Sequence, residues 1–202
     1  MSAFPQPLTG IAAPLLSDNI DTDTIIPSRE MRSTGRTGLA DGMFAPWRYR
    51  DADTREENPA FALNQPEYRS AAILASGSNF GCGSSREHAV WALAEYGVRA
   101  IIAASFAPIF RSNCIRNFIL PITLDRAAIA ALAGRAVTID LAALTLTCGE
   151  QTHHFALEAE AHDMLTHGLD AIDLTLQQAQ AIDAWTKADR AARPWAYLER
   201  TQ

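Results

Sequence analysis

The residues best suited to chemistry are Gly81-Cys82-Gly83-Ser84-Ser85-Arg86-Glu87-His88. Glycines let a backbone approach a ligand closely, and the N–H groups that open a helix attract anions. Ser84 and Ser85 add hydroxyls at such a point, and Arg86 adds a fixed positive fork that matches a carboxylate. Ser85 also suits the N-cap of a following helix, although His88 rather than Glu stands three residues later, so a capping box is incomplete. Cys82, beside a helix start and with His88 nearby, is a second candidate nucleophile; a small packed cysteine is the ordinary alternative. For the whole segment the plain alternative is a tight turn with serine caps. Arg86, Glu87 and His88 weigh against it, because they crowd charge where the chain enters its core.

Three familiar motifs fail on spacing. A dinucleotide fingerprint needs glycine where Arg86 stands, and a phosphate loop needs lysine where Ser84 follows Gly83. A hydrolase nucleophile elbow needs a closing glycine that Gly83-Ser84-Ser85-Arg86 lacks. The second polar constellation is Ser17-Asp18-Asn19-Ile20-Asp21-Thr22-Asp23-Thr24-Ile25-Ile26-Pro27. Its alternating acids resemble the opening of a calcium loop. The later glycine and closing glutamate are missing at the required offsets, and an Asx-rich turn is the alternative. His153 and His154 read as surface residues, Cys114 and Cys148 as packing residues, and Trp185 and Trp195 as cover for the core.

These residues need elements to position them. Ala71 to Ala75 is a short apolar run, read as a buried strand. Arg86 to Tyr96 reads as a helix with Val90, Leu93 and Ala94 on one face and Gly97 at its stop. Val98 to Ala103 is a second buried strand. Strand, loop, helix and strand within about 30 residues make a βαβ unit with parallel strands. Phe118 to Ile122 is a further strand, and Arg126 to Ala133 a helix closed by Gly134. Residues 137–140, 144–147 and 154–157 read as antiparallel strands around a Gly149-Glu150 turn. Ala159 to His167 is helical and stops at Gly168. Gln177 to Arg193 is an amphipathic helix ended by Pro194. Pro27 to Tyr68 has no clear period and, at roughly 40 residues, far exceeds an ordinary loop. Phe44, Trp47, Tyr49 and Phe61 point to an excursion folded against the body or against a partner. The expected class is α/β, a mixed sheet with flanking helices. It is read as one domain over 1–202, with the excursion at about 27–68 and a helical extension at about 177–202.

Composition narrows the function. Of 202 residues, 48% are hydrophobic, enough for a buried core. A formal charge of −6 disfavours a general nucleic-acid binder. No apolar run approaches the roughly 18 residues of a membrane span. Met1 to Ile11 carry no Lys or Arg and no apolar run, so no secretory signal is read. Cys82, Cys114 and Cys148 are odd in number and form no C-x-x-C, which fits a reducing cytoplasm.

Together these segments resemble the small subunits of 3-isopropylmalate dehydratase, the leucine-pathway branch of the aconitase superfamily. The resemblance runs through Asn19 to Pro27, Arg36-Thr37-Gly38, Asn79 to Ala89, Trp91-Ala92-Leu93, Ser105-Phe106-Ala107, Ile109-Phe110, Asn113, Leu120-Pro121 and Gly168-Leu169-Asp170. It implies a swivelling β/β/α domain that closes over an active site carried mainly by a large partner subunit. That partner would hold a four-iron, four-sulfur cluster on three cysteines, with no metal bound by this chain. The implied reaction is the reversible loss and re-addition of water on a 2-alkylmalate. By resemblance, Ser84 is the base, acting as an alkoxide, and Arg86 clamps a substrate carboxylate. Ser85 supports the substrate or Ser84, Asp23 hydrogen-bonds near the reacting groups, and Asp21 has a supporting or structural part. Ile26 stands where aconitase carries a serine three residues after its aspartate, so an apolar side chain facing the substrate's alkyl group is expected. Arg36 is a further candidate carboxylate ligand. Ser28-Arg29-Glu30-Met31 replaces a Phe-Leu pair that the family often shows, which keeps citramalate, dimethylmalate and homoaconitate open as substrates. A non-catalytic swivel subunit is the alternative of a different class.

Overall fold

Short runs of small and β-branched residues form the middle of the main sheet, where both faces are covered and alternation is lost. The computed structural model describes residues 3–31, 35–51 and 53–197. The chain divides into two compact units, Met1–Gly168 and Leu169–Gln202. In the first, the elements run β1 (Leu8–Leu15), α1 (Thr22–Ile25), α2 (Ala45–Arg48), β2 (Ile73–Ser76), α3 (Glu87–Tyr96), β3 (Ala100–Ala103), α4 (Pro108–Arg116), β4 (Leu120–Thr123), α5 (Arg126–Leu132), β5 (Ala136–Asp140), β6 (Thr145–Cys148), β7 (Gln151–His154) and α6 (Ala159–His167). One seven-stranded sheet has the order β4-β3-β2-β1-β5-β6-β7. Strands β1 to β4 are parallel, and β5 to β7 continue antiparallel. The expected mixed sheet and its parallel βαβ unit are present. The third hairpin strand comes earlier than expected, at 151–154, directly after the Gly149-Glu150 turn.

Strand β1 lies at the centre of the sheet, and the sequence reading did not find it. Gly10 and Pro14 interrupt it, and proline is unusual in a central strand. The structure shows why Pro14 is tolerated. Residues 8–11 pair with β5, and residues 12–15 pair with β2. Ala12 N–H donates to Arg135 on the β5 side. Two residues on, the Pro14 nitrogen faces that same side, past the end of β5, where no ladder bond is required.

Side-chain alternation sorts the core into two layers. Leu15, Leu74, Ile101 and Ala103 join α3, Phe110 and Cys114 on one face. Ile73, Ala75, Ala100 and Ile102 join Ile129, Leu132 and Leu165 on the other. The excursion belongs to the first layer: Leu39, Met43, Phe44, Phe61 and Leu63 are buried with the α3 face. It therefore folds against the body of its own chain. Within it, the buried Glu30 carboxylate pairs with Arg55 at 2.5 Å. The missed helix α4 begins with Pro108 in its first turn, a position that suits proline.

Glu95 ties the excursion to α3. Its carboxylate accepts from the N–H groups of Gly38 (2.7 Å), Leu39 (2.6 Å) and Ala40 (2.9 Å). Burial pushes its pKa up, but the three amides outweigh that and hold it below the ordinary value. A depressed folded-state pKa gives stability above the unfolded-chain value and loses it as pH falls through the folded one. Glu95→Gln is therefore expected to cost about 0.5–1 kcal/mol near neutral pH, a modest figure because the group is exposed. It should also flatten the fall of Tm below about pH 4.5. Thermal melts of both proteins across pH 3–7 check this.

The second unit holds α7 (Ala171–Leu176) and α8 (Ala179–Ala192), and residues 198–202 of the expected extension lie outside the described residues. Asp170 and Asp173 form a capping box at the start of α7. Asp189 collects Arg193 and the Tyr197 hydroxyl at the end of α8. Trp185 and Trp195, expected to cover the core, are 61% and 76% exposed. Among the described residues, no helix is long and apolar enough to cross a membrane.

Candidate functional site

Two loops leave the carboxyl ends of the parallel strands β1 and β2, the edge where open α/β sheets place their ligands. They run side by side, joined by backbone hydrogen bonds. Asn19 N–H donates to Ser78 O (2.8 Å), Gly81 N–H to Ile20 O (2.7 Å) and Thr22 N–H to Cys82 O (2.8 Å). The loop after β3 joins them, with Phe80 N–H on Ser105 O at 3.0 Å and Ala107 N–H on Phe80 O at 3.0 Å. Asp18 fastens the base of the ladder, accepting from Ser78 N–H (2.7 Å) and from Arg126. The Arg126 hydrogen bond first, then the Ser78 amide, lower its pKa.

The ladder sets α1 beside the start of α3. Asp21 caps α1 by accepting from Thr24 N–H, which is the structural part expected of it. The next residue, Thr22, is buried at 1% exposure. Its Oγ1 lies 3.2 Å from Ser84 Oγ and accepts the Ser84 N–H at 3.1 Å. Asp23 and Arg86 form an ion pair next to this contact, with 58% and 27% of their side chains exposed. Ser84 and Ser85 are both exposed. Four of the six residues singled out from the sequence, Asp23, Ser84, Ser85 and Arg86, thus fall on two adjoining segments.

Ser85 does not cap the helix. Arg86 occupies the N-cap, and its side chain makes no cap hydrogen bond to the first turn of α3. The first N–H groups of a helix have no partner within it. Ala89 N–H is taken up by Arg86 O, so the N–H groups of Glu87 and His88, with the positive end of the helix dipole, are what the helix start offers to an anion at Ser84 or to a ligand. The arrangement offers a hydroxyl that an oxyanion-stabilising helix start favours, a guanidinium for a carboxylate, and an acid that holds that guanidinium in place before a ligand arrives.

The other two expected residues lie elsewhere. Ile26 is fully buried in the first core layer, and its Cδ1 packs against Gly42. Its side chain therefore helps to seat the excursion and does not face a ligand. Arg36 lies over the Trp91 ring, 5.0 Å from its centroid, in a cavity of about 400 Å³ that also involves Glu95, Arg99 and Asn117. It contacts that indole rather than Ser84, Asp23 or Arg86. His88 also packs against Trp91, with 4.7 Å between ring centroids. Thr22 was read only as part of the polar segment before Pro27, with no role of its own, and Glu95 was missed because no local pattern marked it.

The thiols do not converge. Cys114 lies in the first core layer, where burial pushes its thiol far above the ordinary value, and Cys148 lies in the second. Among the described residues, no group of three His, Cys, Asp or Glu side chains is placed to hold a metal ion.

A mixed sheet whose strand-end loops carry this serine–arginine segment defines a domain of aconitase type. Residues 3–127 match the family model of the aconitase C-terminal domain, and residues 172–197 match that of the C-terminal domain of the 3-isopropylmalate dehydratase small subunit. The chain is 53% identical to a 3-isopropylmalate dehydratase small subunit of Cupriavidus necator, covering 94% of this chain and 96% of that one. It is 47% identical to one from Sinorhizobium fredii, covering 94% and 97%. A solved 3-isopropylmalate dehydratase structure from Methanocaldococcus jannaschii aligns with a TM-score of 0.65 at 28% identity, over 90% of this chain and 99% of that one. The chain belongs to the family of 3-isopropylmalate dehydratase small subunits.

Proposed function

We propose that the chain works in the cytoplasm as the small subunit of a 3-isopropylmalate dehydratase. Together with a large subunit it would interconvert 2-isopropylmalate and 3-isopropylmalate by dehydration and rehydration, in leucine biosynthesis. The observation that carries this reading is the exposed Ser84 hydroxyl. It sits at the uncapped start of α3, bonded to Thr22 and beside the Asp23–Arg86 pair.

Kinship with aconitase-type dehydratases implies a four-iron, four-sulfur cluster on the large subunit, and in keeping with that the cysteines of this chain are scattered: Cys114 and Cys148 lie in different core layers and Cys82 in the loop before α3. When bound on that subunit, the cluster supplies Lewis acidity toward the leaving hydroxyl. Arg86 would leave part of its contact with Asp23 to grip a substrate carboxylate, each charge-assisted bond contributing about 1.5–3 kcal/mol. Ser84 Oγ, as the alkoxide, would take the proton from the carbon beside that carboxylate. The C–H electron pair becomes the new double bond as hydroxide departs from the neighbouring carbon. For rehydration in the opposite sense, the proton returns from Ser84 Oγ to carbon. Ser85, next to Ser84 and also exposed, would hold the substrate in line. Asp23 would keep Arg86 aimed while the site is empty.

Anaerobic reconstitution with the cognate large subunit tests the reading, following alkene absorbance on 2-isopropylmalate, citramalate and citrate in parallel. Turnover of 2-isopropylmalate that needs both chains is the expected result. Activity on another malate alone would keep the chemistry and overturn the substrate. An intact complex inactive on all three would overturn the catalytic reading in favour of a swivel subunit without a chemical role.

A further inference from the structure

We propose that Thr22 is the positioning residue that holds Ser84 in its reactive form, donating its hydroxyl proton to Ser84 Oγ. This rests on the reading of Ser84 as the base. Hydrogen-bond accounting gives the direction. Thr22 Oγ1 accepts the Ser84 N–H at 3.1 Å, and because Thr22 is buried its own O–H must also find an acceptor, a need that the exposed Ser84 hydroxyl can meet from water. Thr22 is the first residue of α1, so it has no preceding helical turn whose carbonyl would take that proton. The acceptor within reach is Ser84 Oγ at 3.2 Å.

The bond strengthens as charge develops. A hydrogen bond from a neutral hydroxyl to an alkoxide is charge-assisted, whereas the same bond to a neutral serine is not. Thr22 is almost fully buried, so the donor is fixed in advance and poorly screened by water. With Thr22 as the donor, the proton of the exposed Ser84 is left to face solvent, where it can be lost. The threonine backbone is held too, since Thr22 N–H donates to Cys82 O at 2.8 Å. One residue therefore grips the loop at positions 82 and 84. Gly83 between them has φ +97°, and a Cβ there would stand 3.2 Å from Thr22 Oγ1. The grip leaves little room for any other residue at position 83.

The test uses the reconstituted two-subunit enzyme and the variants Thr22→Val and Thr22→Ser. Thr22→Val is expected to lower kcat about 10–100-fold, in line with loss of one donor to a developing oxyanion. KM should stay within about threefold, and the rising limb of the pH–kcat profile should move about one unit alkaline. Thr22→Ser should restore both. In a Ser84→Ala background, Thr22→Val should add no further loss, because its partner atom is gone. The inference is overturned if Thr22→Val leaves kcat and the pH limb unchanged, if its loss lies only in KM, or if it costs the same factor on top of Ser84→Ala. Full activity in Ser84→Ala alone would overturn the base reading instead. Should Thr22→Val fail to assemble, Thr22→Ala takes its place, and equal kcat for Thr22→Ala and Thr22→Ser overturns the inference.

Discussion

Ser84→Ala is expected to lower kcat of the reconstituted enzyme about 10²–10⁴-fold, the usual cost of removing a positioned general base. The complex should still form. The Ser84 side chain is exposed, and what anchors position 84 is its N–H on Thr22 Oγ1, which alanine retains. KM should change little, since the Arg86 grip on a carboxylate is intact. Steady-state kinetics of the complex, with co-elution of the two chains as the assembly check, decide it. A kcat within threefold of the parent would remove Ser84 from the chemistry. The ladder would then have to serve some other group at the start of α3.

Gly81→Ala should abolish activity by a different route. Gly81 has φ +75°, a conformation that side chains rarely adopt, and a Cβ there would lie 2.0 Å from Phe110 Cγ. Phe110 has nowhere to go: it is 2% exposed and packs edge-on against Phe80 at 5.4 Å between centroids. Relief must come from moving the backbone, which breaks the Gly81–Ile20 bond and separates the two loops. Backbone strain plus overpacking amount to about 2–4 kcal/mol. For a chain of this length that lowers Tm by roughly 5–15 °C. Gly10→Ala is the control, because its Cβ would meet only Ile73 Cδ1 at an ordinary 3.6 Å. A Gly81→Ala protein as stable and active as the control would mean that the tight approach to Phe110 is not a constraint on the site.

By itself the sequence determined the parts whose cause is local. Gly97 ends α3 because only a few residues upstream set the helix, and the buried strands β2 and β3 stand out as continuous apolar runs. The hairpin region and α6 were legible for the same reason. The serine–arginine segment announced itself through residue types that have no place at the edge of a core unless they bind something. Only the tertiary structure decided where that segment meets its partners. Strand β1 hides behind Gly10 and Pro14 and becomes a strand because β2 and β5 flank it. Ile26 looked like a substrate contact by position and turned out to be sealed in the core by the excursion. Ser85 looked like a cap, yet Arg86 occupies that place. Thr22 stood in a segment the sequence singled out, but nothing local gave it a part, since its partner is a hydroxyl 62 residues away. Periodicity and turn chemistry are properties of neighbouring residues. A hydrogen bond between two loops exists only once the sheet has brought their strands side by side.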